Sequence, residues 1–232
     1  MSETLFALPD VPAIPVIGET ATYPVGRVFC VGRNYAAHAA EMGVEVDRQT
    51  PFYFTKTPSA AVLSGASVPY PPGTDNFHYE MELVLAIGQN VFRANPEQAN
   101  AAVYAYGCAL DMTRRDLQQA AKDKQRPWDL GKDVEKSAVF APLTRAADFG
   151  VVADQRIHLE VNGNVKQDAS LRELIWSVDE IISHLSGFYH LRPGDLILTG
   201  TPAGVGPVVA GDVISGGIDG LEPVHLTLTK AE

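Results

Sequence analysis

A β-rich α+β fold is predicted for this chain by three observations. Short strand-like runs recur, among them the continuous apolar "RVFCVG", the alternating "HYEMELVLAIG" and the closing "VHLTLT". Turn signals separate the runs of the second half, and the helical stretches are few, short and irregularly spaced. Such non-regular alternation disfavours a Rossmann or TIM arrangement. At 232 residues the chain is long enough for one large domain with a full core. With no repeat or linker to divide it, residues 1–26 read as an extended arm and 27–232 as a single domain.

The elements follow in order. Arg27 to Gly32 reads as a short buried strand, and Asn34 as the N-cap of a short helix ending at Gly43. An irregular stretch is expected from Val44 through "PPGTDN" at 71–76, interrupted by the aromatic run "PFYFTK" at 51–56. A strand over 79–87, a helix near 96–103 and an apolar segment from Tyr104 to Asp111 come next. Thr113 with Asp116 predicts a capped helix over 114–125 that Pro127 stops. Ser170 with Glu173 and Ser177 with Glu180 mark two further capping boxes, the second opening a helix through Leu185. Asn162-Gly163 signals a two-residue hairpin. The "RPGD" and "AGD" turns separate strands at 196–199, 213–214 and 224–229.

Composition narrows the function. A formal net charge of −10 argues against a nucleic-acid partner, whose phosphates require a basic surface. No apolar run approaches the roughly 20 residues of a membrane span. The opening stretch has no basic region and is broken by Pro9, Pro12 and Pro15, so it does not read as a signal peptide, and a cytoplasmic location is expected. Cys30 and Cys108, each inside an apolar run, read as buried thiols.

Three constellations bear chemistry. Strand alternation puts His78, Glu80 and Glu82 on one face and Tyr79, Met81, Leu83, Leu85 and Ile87 on the other. Glu80 and Glu82, roughly 7 Å apart along the strand, could share a hard divalent cation such as Mg²⁺. A wet edge strand is the competing reading. Asp111, ending "YGCALD" just before a helix, stands either as a third ligand or as a turn residue. In "GRNYAAHAAEMG", His38 and Glu41 share a helical face; the carboxylate would fix the imidazole tautomer for general-base work. The competing reading is a weak surface pair, and the alanine-rich helix could equally be a mobile lid. Lys56 and Lys132 form the third group, each read alone as solvated surface. "TGTPAGVG" lacks the ending of a phosphate loop but offers N–H and hydroxyl donors to a carboxylate.

Taken together, "VGRNYAAHAAEMG", "PFYFTK", "HYEMELVLAIG", "DMTRRDLQ" with "RPWDLGKD", and "LRPGDLILTGTPAGVG" resemble the fumarylacetoacetate hydrolase family and its acylpyruvase-like branch. The resemblance implies a mixed β-roll with a few short helices, a homodimer, and Mg²⁺ or Mn²⁺ on Glu80, Glu82 and Asp111. It implies a His38–Glu41 dyad that activates water, and Lys132 stabilising an oxygen anion. It also implies a site lined by Arg33, Tyr35, Lys56, Arg115, Gln118 and Thr201. The family often has Lys-Pro where this chain has Lys56-Thr57-Pro58, which leaves the path of that loop open. The implied reaction is C–C cleavage of an acylpyruvate 2-keto acid, most closely of fumarylpyruvate to fumarate and pyruvate in gentisate-type aromatic degradation. Arg33, Arg115 or Arg126 would meet the far carboxylate. The alternatives are oxaloacetate decarboxylation or isomerisation of a 2-hydroxydienedioate at the same metal, and a non-catalytic binding protein.

Overall fold

The strand that carries Glu82 lies at the centre of the molecule. In the computed structural model, which describes residues 4–7, 10–43, 48 and 50–232, Met81–Ile87 is flanked by Asp195–Leu198 and Val103–Asp111, both antiparallel to it. That sheet runs on through Arg27–Gly32 to Phe52–Lys56 on one side. On the other it reaches Ala138–Phe140 and Ala61–Leu63, with Thr144–Arg145 added to the 103–111 strand. A second, five-stranded sheet orders as 164–170, 156–161, 213–218, 224–229, 66–69. A small three-stranded sheet pairs Phe77–Tyr79 with Thr113–Arg114 and Gly206–Val208. The fold is thus β-rich with a few short helices, as the sequence predicts.

Alternation along 81–87 explains the layering. Met81, Leu83, Leu85 and Ile87 enter the larger core with Ile157, Leu159, Ile214 and Leu226 of the second sheet and Ile181 and Ile182 of helix Val178–Ser186. Val84 and Ala86, on the Glu82 face, pack with Val28, Cys30 and Ala109. This face is not wet: within residues 1–26, Ala13–Pro15 and Thr22–Pro24 pair as a ribbon that lays Ile14 and Tyr23 over it. The Tyr23 hydroxyl accepts from Gly194 N–H (2.9 Å) and lies 2.8 and 2.9 Å from the Ile87 and Asp195 carbonyls, either of which can take its proton. Both cysteines are free and buried. No helix among the described residues is long and apolar enough to cross a membrane.

Several local expectations need correction. The run Phe52–Lys56, which interrupts the expected irregular stretch, is an edge strand paired to 27–32, but that stretch also holds the strands Ala61–Leu63 and Ala66–Pro69; its residues 44–47 and 49 lie outside the described residues. Asn34 does not cap the following helix, Ala36–Glu41, whose N-cap is Tyr35. Its side chain instead donates to the Trp176 and Thr199 carbonyls and accepts from Trp176 N–H, tying three segments together. Helix Arg115–Asp123 likewise lacks the Thr113–Asp116 box: Thr113 donates to the Asp111 carbonyl, while Asp116 accepts from Thr74. Long-range partners competed successfully for both would-be caps. The boxes at Ser170–Glu173 and Ser177–Glu180 form, and Asn162-Gly163 turns the 156–161/164–170 hairpin with both residues at positive φ (52° and 76°).

Candidate metal centre and active-site cleft

Residues 77–87 do not form one continuous strand. The backbone pairs with the small sheet up to Tyr79, breaks at Glu80, and resumes in the large sheet at Met81. Gln167 holds the break, its Oε1 accepting from Met81 N–H (3.0 Å) and its Nε2 donating to the Thr201 hydroxyl and the Pro202 carbonyl (both 2.8 Å). Across the ladder, Asp111 N–H donates to the Glu80 carbonyl (2.9 Å), so the end of the 103–111 strand delivers its carboxylate beside Glu80 and Glu82. Ligand oxygens of Glu80, Glu82 and Asp111 lie within 4.8 Å of one another, and all three residues are buried.

Their surroundings are asymmetric. Lys132 Nζ bridges Glu80 Oε2 and Asp111 Oδ2 (2.7 Å each), and Arg115 donates to Glu80 Oε1. Burial alone would raise the Glu80 carboxyl, but Lys132, Arg115 and His38 outweigh it and hold it well below the ordinary range. Burial would likewise lower Lys132, yet Asp111 and Glu80 keep its ammonium above its usual value. Glu82 has no cation partner among the described residues; burial, with Asp111 and Glu80 alongside, pushes it well above the carboxylate range. Among the described residues it accepts only the Gly200 N–H (2.7 Å), in a turn where φ is +98° and a Cβ would meet Asn34 Cβ at 2.8 Å, so glycine is required.

Asp111 Oδ1 forms an ion pair with Lys56 Nζ (2.9 Å), although the Lys56 N–H groups point to the Met112 and Lys132 carbonyls and the Ser137 hydroxyl, so this buried oxygen accepts no hydrogen bond. Glu82 is the buried carboxylate with no cation beside it among the described residues, an unfavourable state that a bound divalent ion would relieve. An all-carboxylate set suits a hard ion such as Mg²⁺ or Mn²⁺, not zinc. The three residues therefore fit a divalent metal.

The cleft above them is walled by His38, Arg33, Gln118, Lys122, Trp128 and Thr201, with Arg115 and Lys132. His38 is buried, and burial holds its pKa below the usual value although Glu80 and Glu41 pull upward; its imidazole is neutral at neutral pH. Its Nδ1 is 3.2 Å from Glu41 Oε2, so the N–H there donates to the carboxylate and Nε2 keeps a free lone pair. Glu41 also accepts from Gly204 N–H (3.1 and 3.2 Å), which fastens the short helix to the 199–206 loop. Gly204 sits at φ +95°, where a Cβ would collide with the Lys166 carbonyl.

Other expected site residues are distributed around this group. Arg115 is spent on Glu80, Gln118 and His78, and burial with Arg115 alongside pushes His78 down to about 4. Lys56 is buried against Asp111 and outside the cleft wall; Tyr35 is buried and outside it too, its hydroxyl without a partner among the described residues and its pKa raised by burial and by Glu82. The extra residue Thr57 docks on Asp133 through N–H and hydroxyl (2.9 and 3.0 Å), leaving Lys56 on its strand. Arg126 is exposed and absent from the cleft wall. Gln167 carried no readable signal, since it acts through partners far away in sequence; His78 was legible only as a residue on the Glu80 and Glu82 face, Gly204 and Trp128 stood inside quoted motifs, and Lys122 inside the expected 114–125 helix, without a reason to single them out.

A family profile described as the C-terminal domain of fumarylacetoacetate (FAA) hydrolase matches residues 27–229. A fumarylpyruvate hydrolase of a Ralstonia species is 55% identical over 194 residues, 82% of this chain and 100% of that protein. The crystal structure of fumarylpyruvate hydrolase from Pseudomonas aeruginosa, in complex with Mn²⁺ and pyruvate, superposes with a TM-score of 0.94 at 44% identity, covering 98% of this chain and 100% of that one. A mitochondrial oxaloacetate tautomerase of Arabidopsis thaliana is 37% identical over 207 residues, 88% of this chain and 91% of that protein.

Proposed function

Because the chain belongs to the fumarylacetoacetate hydrolase family, we propose that it is a metal-dependent hydrolase that cleaves fumarylpyruvate to fumarate and pyruvate. The observation that carries this reading is the union of two devices: three buried carboxylates fit for a divalent ion, and a neutral His38 oriented by Glu41 on the same cleft. Decarboxylation of a 2-keto acid needs the first device and tautomerisation a proton-transfer base besides; in hydrolysis that base activates water.

Glu80, Glu82 and Asp111 would hold Mg²⁺ or Mn²⁺, which when bound supplies an electron sink for the oxygens of a 2-keto acid. The protein's own groups do the rest. His38 Nε2 takes a proton from water while Glu41, fixed by Gly204 N–H, stabilises the imidazolium. The water oxygen bonds to the distal carbonyl carbon, the adjacent C–C bond breaks, and its electron pair leaves with the pyruvate fragment as an enolate. Proton return gives pyruvate, and the acyl part departs as fumarate. Lys132, with two N–H donors committed to Glu80 and Asp111, has a third for an oxygen anion in the cleft. Arg115 and Gln118 act on the ligand side by steadying Glu80. Thr201 faces the cleft from the other wall.

The proposal extends to residues 27–232 as one catalytic domain with 1–26 as its arm, to a cytoplasmic homodimer, and to service in aromatic degradation; family resemblance supports these. The test is a substrate panel. Purified protein with Mg²⁺ should convert fumarylpyruvate to equimolar fumarate and pyruvate. Faster tautomerisation or CO₂ release from oxaloacetate, with fumarylpyruvate intact, would refute the hydrolase reading.

A further inference from the structure

A fumarylpyruvate dianion would carry one carboxylate at the metal end and another at the far end, and the far one needs a cation. The cleft wall holds four: Arg33, Arg115, Lys122 and Lys132. Arg115 and Lys132 are committed to Glu80 and Asp111. Arg33 and Lys122 have no carboxylate within ion-pair reach among the described residues, and the nearest acid on the Lys122 helix, Asp123, accepts from Gln119.

These two cations meet over one ring. Lys122 Nζ is 5.3 Å and the Arg33 guanidinium 5.9 Å from the centroid of Trp128. Arg33 is held there by a left-handed backbone (φ 61°), an uncommon conformation for a residue with a side chain. Lys122 follows Arg115 and Gln118 on one helical face, two turns or roughly 10 Å farther along the axis than Arg115. Lys122 therefore joins the cleft wall beyond the Arg115 that pairs with Glu80. Burial, then Arg33 and Arg115, lower the Lys122 pKa against the upward pull of Glu80, as expected where cations crowd together.

We propose that Lys122, seated with Arg33 on Trp128, receives the distal carboxylate and makes the cleft selective for dicarboxylic over monocarboxylic acylpyruvates. This assignment rests on the hydrolase reading above. In Lys122→Gln, KM for fumarylpyruvate should rise tenfold or more, since a charge-assisted hydrogen bond is lost. Inhibition by pyruvate, which carries only the metal-end carboxylate, should stay within about twofold of the parent's, as expected for a group far from that end. Lys122→Arg should restore most of the loss. An unchanged KM, or parallel weakening of fumarylpyruvate and pyruvate, would overturn the assignment while leaving the hydrolase reading intact. A parent protein that leaves fumarylpyruvate untouched would overturn the hydrolase reading itself, and this assignment with it.

Discussion

Replacing Glu82 by Gln should weaken metal binding without weakening the metal-free fold. Three buried carboxylates share one site, and Lys132 and Arg115 serve only Glu80 and Asp111. Glu82 is the group left without a cation, and its pKa is raised accordingly. A carboxyl whose pKa is higher in the folded than in the unfolded chain makes stability fall as pH rises above its unfolded value of about 4.3. Glutamine removes that penalty and still accepts the Gly200 N–H. Metal-free Glu82→Gln should therefore be as stable as the parent at pH 7 or more so, by up to about 1 kcal/mol, which is about 2–4 °C in Tm for a chain of this size. Metal affinity should fall by at least about 100-fold (~2.7 kcal/mol), because even residues behind metal ligands are worth 10–100-fold. Calorimetric titration with Mn²⁺ and thermal melts of chelator-treated protein read the two effects. A destabilised metal-free variant, or one that binds Mn²⁺ normally, would refute the reasoning.

Glu80→Gln should behave oppositely in the melt, losing about 3 kcal/mol or more because Arg115 and Lys132 lose the buried charge that pairs them; chemical denaturation measures it. Gly204→Ala places a Cβ against the Lys166 carbonyl at a left-handed backbone position, so kcat should fall at least about tenfold through a misplaced Glu41, with Mn²⁺ affinity retained; steady-state kinetics beside a metal titration checks this. The acid limb of the kcat/KM profile should lie below about 6.5, since His38 is depressed by burial. Glu41→Gln should move it lower still, because the Glu41 carboxylate raises His38; an upward shift would contradict the dyad.

What the sequence disclosed and what it concealed divide along range. Alternation placed Met81, Leu83, Leu85 and Ile87 in the core because a period of two is local. The Ser170–Glu173 and Ser177–Glu180 boxes and the Asn162-Gly163 turn were legible for the same reason. Whether Glu82 faced water could not be read locally: the strand is central, and a ribbon from residues 13–24 covers the face that Glu82 shares with Val84 and Ala86. Asn34, Thr113 and Asp116 resembled caps and were drawn to partners elsewhere. The break at Glu80 depends on Gln167 in another sheet, and the immobilisation of Glu41 on Gly204, contacts that no spacing encodes.

The central claim is that Glu80, Glu82 and Asp111 hold the ion on which C–C cleavage depends. Its most direct test is pyruvate release from fumarylpyruvate by chelator-treated protein as Mg²⁺ or Mn²⁺ is titrated back. The account expects no turnover at zero metal and a rate that rises with site occupancy and saturates at one ion per chain. Turnover that persists in metal-free protein would contradict it.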